Sequence, residues 1–127
     1  MANKKRVSHK YVDVASATLK DVRISPRKLG LVADMVRGKP VSEAAGILKF
    51  TSKKGALIVS KVLFSALANV KEKFGNSVDL DNLSVTRCWV GSGPRLKRFL
   101  PRAKGMATPI LKKFAHLTVA VGEKGKA

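Results

Sequence analysis

The sequence predicts an α+β domain, on three observations: three stretches repeat apolar residues at helical spacing, three others alternate in the manner of half-buried strands, and a long basic segment separates the last two strand signals. The 127 residues suit one small domain, and a hydrophobic content of 45% is enough for one core. The reading divides the chain into a basic N-terminal arm, residues 1–17, and a single globular α+β domain, residues 18–127, which includes an extended basic excursion at about 91–114.

Taken in order, Lys4, Lys5, Arg6 and Lys10 crowd the first ten positions with few apolar neighbours, which predicts a mobile arm. A strand is expected from about Thr18 to Ile24, with Val22 and Ile24 on one side and Asp21 and Arg23 on the other. Ser25-Pro26 then opens a helix, because serine can cap first-turn amides and proline at the first helical position has no amide to lose. Leu29, Val32, Ala33 and Val36 follow at helical spacing until Gly38 and Pro40 end the run. A short second helix starts at Ser42, with Ala44, Ile47 and Leu48 on its apolar side. The third runs from Lys53 to Phe74. Its narrow polar stripe of Lys54, Lys61, Ser65, Asn69 and Glu72 lies opposite Val59, Leu63, Ala66, Leu67, Val70 and Phe74, which implies a helix pressed into the core before Gly75-Asn76 ends it.

Two further strands are read at Leu83 to Val90 and Ala115 to Val121. The first sets Leu83, Val85, Arg87 and Trp89 against Ser84, Thr86, Cys88 and Val90; the second sets Ala115, Leu117, Val119 and Val121 against His116, Thr118 and Ala120. Trp89 is assigned to the core, and Cys88 is read as a small buried residue, since a lone cysteine has no partner for a disulfide or a paired-thiolate zinc site. His116 has no Cys, Asp or Glu close by in the sequence, so it is given a structural hydrogen bond and no metal.

Charge narrows the function. Against 26 Lys and Arg stand 8 Asp and Glu, a formal net charge of +18, and a polyanion relieves the resulting self-repulsion by exchanging its counterions for protein cations. No apolar run approaches the roughly 18 residues that span a bilayer, and no secretory signal follows the basic N-terminus, so neither a membrane nor export is expected. There is no glycine-rich phosphate loop, no paired carboxylate and no nucleophile beside a base, so the chain is not read as an enzyme and no cofactor or metal is expected.

The segment from Pro94 to Lys113 reads PRLKRFLPRAKGMATPILKK, with seven Lys or Arg; no Asp or Glu occurs between Asp81 and Glu123. Leu96, Phe99, Leu100, Ile110 and Leu111 are interleaved with the charges, where a disordered loop would be poorer in apolar groups. The pattern suits two extended arms that pack on each other or on a partner while presenting cations to phosphates. Pro101 and Gly105 bracket the expected turn, and ten residues per arm at roughly 3.3 Å each carry it about 30 Å from the domain. Such an arm is expected to stay mobile until a partner orders it. Arg95, Lys97, Arg98, Arg102, Lys104, Lys112 and Lys113 are the leading RNA-contact candidates, joined by Arg27, Lys28, Lys53 and Lys54, which stand at helix starts where free amides favour phosphate.

Several motifs carry a family resemblance from about Leu19 to Val121: Ser25-Pro26-Arg27-Lys28, Leu31-Val32-Ala33-Asp34, Val36-Arg37-Gly38-Lys39, Ser52-Lys53-Lys54-Gly55-Ala56, Gly93-Pro94, Lys97-Arg98, Pro101-Arg102-Ala103-Lys104-Gly105 and His116-Leu117-Thr118-Val119. In this order and spacing they resemble the large-subunit ribosomal protein twenty-two family, bacterial or organellar type. The resemblance implies three helices against a three-stranded antiparallel sheet, and a long β-hairpin threading large-subunit ribosomal RNA. It also implies that the tip, Arg102, Ala103, Lys104, Gly105 and Met106, stands at the wall of the nascent-peptide exit tunnel. The departure is Met106, where members commonly carry a basic residue. The implied partners are ribosomal RNA, neighbouring large-subunit proteins and the nascent polypeptide, on a ribosome in the cytoplasm or in an organellar matrix or stroma. Two other classes fit the sequence less well. A DNA-compacting or regulatory protein leaves the long basic segment unexplained, and an RNA-modifying enzyme requires a concentrated polar site that the sequence lacks.

Overall fold

In the computed structural model, which describes residues 11–75 and 82–124, the chain forms β1 (Tyr11–Val22), α1 (Pro26–Val36), α2 (Val41–Phe50), α3 (Lys54–Phe74), β2 (Leu83–Pro101) and β3 (Ala107–Lys124), with a 3-10 turn at Ala103–Gly105. The first helix begins as its sequence dictates: Ser25 Oγ accepts the Lys28 amide at 3.3 Å, and Pro26 takes the first helical position. Its buried residues are Leu29, Val32, Ala33 and Val36, the four expected. The second begins one residue earlier than expected and adds Val41 to the buried Ala44 and Leu48, with Ile47 partly buried. In α3, Val59, Leu63, Ala66 and Val70 are buried and Leu67 partly so. Phe74, expected in the core, is 43% exposed at the last position of α3, one turn beyond Val70, the last buried residue of the helix.

The sheet is antiparallel in the order β1-β3-β2. The central strand buries Ala115, Leu117, Val119 and Val121 against the helices, on the alternation the sequence shows. At the first strand the expected boundaries need correction. It starts at Tyr11, so residues 11–17, assigned to the basic arm, pair with the far end of β3, from Tyr11↔Lys124 to Ala17↔Val119. Ala15 is buried and Ala17 partly so, and these small side chains let α3 come close enough for Asn69 Nδ2 to donate to the Ser16 carbonyl at 2.8 Å. The remainder of the arm, residues 1–10, lies outside the described residues, as does Asn76. The strand also stops at Val22, before Ile24. Its register slips between Leu19 and Val22, where Asp21 adopts a positive φ of 57°, and His116 Nδ1 accepts the Asp21 amide at 3.1 Å. That is the structural hydrogen bond expected of His116.

A second slip overturns the assignment of Trp89. Between Val85 and Arg87 the second strand advances two residues while β3 advances one, a β-bulge that moves every later side chain to the opposite face. Leu83 and Val85 point into the core, but beyond the bulge Cys88 is buried and Trp89 is 47% exposed, on the sheet face away from the helices. The bulge is held from outside. Val85 exchanges backbone hydrogen bonds with Gly38 and Lys39, both at 2.9 Å, and Pro40 bridges Ser84, so the connection between the first two helices covers the edge of β2. Arg37 completes the clasp: its Nε and Nη2 donate to the Cys88 carbonyl at 3.0 and 2.6 Å, and its Nη1 pairs with Asp34. Burial pushes the Cys88 thiol up to about 11, against a smaller opposing pull from Arg37, which leaves it protonated and serving as packing.

Trp89 is the only tryptophan in the chain, so intrinsic fluorescence reports on this face alone. The isolated protein should emit at the long wavelength of a hydrated indole and be readily quenched by acrylamide, and Trp89→Ala should change stability by less than about 1 kcal/mol. Blue-shifted, protected emission would place the indole in the core and remove the bulge.

Candidate nucleic-acid interface

β1 leaves the sheet at Val22↔Ala115, and past that point β2 and β3 continue alone as a two-stranded ribbon. Pairing runs from Arg95↔Lys113 to Pro101↔Ala107, which at about 3.4 Å per residue carries the tip roughly 25 Å beyond the domain. The two arms expected from the basic segment therefore pack on each other as a ladder. At the tip, Arg102 donates its amide to the Met106 carbonyl at 2.6 Å and its Nε to Thr108 Oγ1 at 3.2 Å. Lys104 and Gly105 both adopt positive φ, 62° and 73°, which closes the turn at the position that Pro101 and Gly105 bracket in the sequence.

Register decides how the ribbon presents its charge. Lys97 lies opposite Leu111, Arg98 opposite Ile110, and Lys112 opposite Leu96, so each cation meets an apolar residue across the ladder and both faces carry both chemistries. Leu96, Phe99, Leu100 and Leu111 are exposed, as is Met106 at the tip, at 68%. None of them belongs to the core cluster, so the ribbon contributes nothing to the domain's interior. Arg95 and Lys113 break the pattern: they are the one pair of like charges placed directly opposite among the described strand partners.

The remaining candidates sit on the domain. Arg27 and Lys28 are exposed in the first turn of α1, and Lys53 occupies the cap position of α3 with no side-chain hydrogen bond closing that end. Lys54 is partly committed to the fold, since its Nζ donates to the Arg23 carbonyl at 3.3 Å and ties the start of α3 to the end of β1. The fold brings Arg27 to the root of the ribbon, where a cleft is lined also by Arg95, Lys113 and Phe114. Lys53 lines a different groove, between α2 and α3, with Leu57 and Phe64. Sequence reasoning missed Phe114, which adjoins the cations of β3 but carries no distinguishing pattern of its own. Among the described residues no group of three or more His, Cys, Asp or Glu comes together, and no helix is long and apolar enough to cross a membrane.

The fold and this surface define a small α+β domain carrying a projecting cationic β-ribbon. The chain belongs to the family described as ribosomal protein L22p/L17e, whose profile matches residues 17–122. Among its relatives, the large ribosomal subunit protein uL22 of Ligilactobacillus salivarius is 52% identical over 113 residues, 89% of this chain and 96% of that protein. The protein of the same name from Lacticaseibacillus casei is 51% identical over 110 residues, covering 87% of this chain and 92% of its own length, and that from Pediococcus pentosaceus is 50% identical over 113.

Proposed function

We propose that this chain is a structural constituent of the large ribosomal subunit that binds its ribosomal RNA, with the ribbon threaded through the RNA and Arg102 to Met106 at the wall of the nascent-peptide exit tunnel. The observation that carries the reading is the ribbon: a two-stranded extension with Arg95, Lys97, Arg98, Arg102, Lys104, Lys112 and Lys113 exposed, no acid on either strand before Glu123, and no side chain in the core. A surface of this kind has no use in the free domain and is satisfied by phosphates on more than one side. Arg27, Lys28, Lys53 and the donors left on Lys54 extend the contact onto the globular part. Neighbouring large-subunit proteins and the nascent chain are the remaining partners in this reading, and the bacterial relatives favour the bacterial cytoplasm over an organelle.

Two measurements test it together. In gently lysed cells the protein should sediment with the large subunit, and the purified chain should bind large-subunit ribosomal RNA with a log-log salt slope of roughly −4 or steeper if six or more phosphates are neutralised. Sedimentation only in the light fractions, or an affinity flat between low and moderate salt, would overturn the reading.

A further inference from the structure

The sheet face turned away from the helices carries two flat rings beside a gap. On β3, His116 and Thr118 alternate with the buried Ala115, Leu117 and Val119, so both point outward. On β2, the bulge after Val85 turns Trp89 to the same side, opposite Thr118, and Gly91 follows it there, opposite His116. Glycine leaves its place on this face empty. A Cβ on Gly91 would find no atom within 4 Å apart from its chain neighbours, from neither the indole nor the imidazole. The backbone does not demand glycine here, since Gly91 is not among the residues of positive φ. A planar group laid over Gly91 therefore meets Trp89 along the strand, two residues or about 7 Å back, and His116 directly across the ladder.

The chemistry around the gap selects its occupant. The indole is 47% exposed and offers a stacking surface. His116 Nδ1 accepts the Asp21 amide at 3.1 Å, so the proton of the neutral ring sits on Nε2, which is left as a donor on the side away from Asp21. The Asp21 carboxylate stands 3.9 Å from that same Nδ1 and repels a phosphate placed over the rings, whereas an uncharged base meets no such penalty. Beside the rings the hydroxyls of Thr18 and Thr118 lie 3.2 Å apart, where a protein-docking surface would carry an apolar centre. We propose that the recess over Gly91 seats one unpaired base of the bound RNA, stacked on the Trp89 indole and held at its edge by a hydrogen bond from His116 Nε2. This rests on the RNA-binding reading above and adds to it a base-stacking site on the sheet face, distinct from the ribbon's contacts with the RNA backbone. A base inside a helix has both faces and its pairing edge engaged, so the site takes unpaired RNA and rejects continuous duplex.

As the only tryptophan, Trp89 supplies its own probe. The full chain is titrated at one fixed salt concentration with a short single-stranded oligouridylate and with an RNA duplex of the same length, while filter binding follows total RNA bound. The single strand should quench the indole emission and shield it from acrylamide, and the duplex should bind without doing either. Gly91→Val fills the gap and touches neither ring, so it should leave the emission of the free protein as it was and raise the oligouridylate concentration for half-quenching about tenfold, the scale of one stacked base. With the parent chain, an oligomer carrying 5-iodouridine should photo-crosslink to the peptide containing Trp89, a readout that needs no variant. Single strand that binds and leaves the emission unchanged, equal quenching by the duplex, or crosslinks confined to the ribbon would overturn the base site and leave the RNA-binding reading standing. Shielding of Trp89 by large-subunit proteins and not by RNA would give the face to a protein and also overturn the proposal. Failure to bind either RNA would count against the RNA-binding reading itself.

Discussion

A chain in which residues 95–112 are replaced by a short glycine-containing turn is expected to fold normally and to lose at least about a hundredfold in RNA affinity at physiological salt. The ribbon side chains stand outside the core cluster, and Leu83 to Ser92 still pair with Ala115 to Glu123 when the ribbon is gone. Shortening a connection also lowers its closure entropy, so the urea midpoint should hold. The replacement removes Arg95, Lys97, Arg98, Arg102, Lys104 and Lys112. If each neutralises a phosphate, the salt slope becomes shallower by roughly 0.9 per contact, about 5 in all. Filter binding over a salt series measures this, and gradient sedimentation should find the shortened protein poorly incorporated into large subunits. An unfolded product would mean that the ribbon belongs to the core; an unchanged slope would move the RNA contacts elsewhere.

Leu117→Ala should do the reverse. Leu117 is fully buried on the central strand, with Leu19 and Val90 as its neighbours in register. Truncating it removes buried surface and leaves a cavity between sheet and helices, at about 3–5 kcal/mol. That is a large part of the roughly 5–15 kcal/mol that holds a domain together, and the thermal midpoint should fall by about 10 °C or more. Where the variant remains folded, its salt slope should match the parent. Leu111→Ala on the ribbon, 42% exposed in the parent, serves as the control and should lose less than about 1 kcal/mol. Equal losses at the two positions would contradict the division between core and ribbon.

The helices were legible because helical spacing of apolar residues is a direct record of burial, and Leu29, Val32, Ala33 and Val36 are read from it without error. The turn at the ribbon tip was legible for a similar reason, since Pro101 and Gly105 carry their backbone restrictions with them. The β-bulge after Val85 has no such mark. It follows from backbone pairing with Gly38 and Lys39, nearly fifty residues away in the chain, and without it the alternation puts Trp89 on the wrong face. The start of β1 was missed because Ala15 and Ala17 give only a faint apolar signal, and their smallness is explained only by the closeness of α3. At the candidate interface, the exposed cations of the ribbon follow from composition and from the absence of acids. The meeting of Arg27 with Arg95 and Lys113 depends on where α1 ends up against the sheet, which no local pattern in the sequence contains.

The ribbon has two outer edges whose backbone groups face no third strand, and exposed leucine, phenylalanine and methionine side chains lie along it. In most proteins such an edge is a template on which another chain adds itself and aggregation begins. Here a second copy would bring its own row of lysines and arginines alongside the first, and the repulsion between the rows opposes the hydrogen bonds to be gained. The charge that suits the ribbon to a polyanion therefore also keeps newly made molecules apart in solution, and the safeguard is withdrawn only when an anion neutralises it.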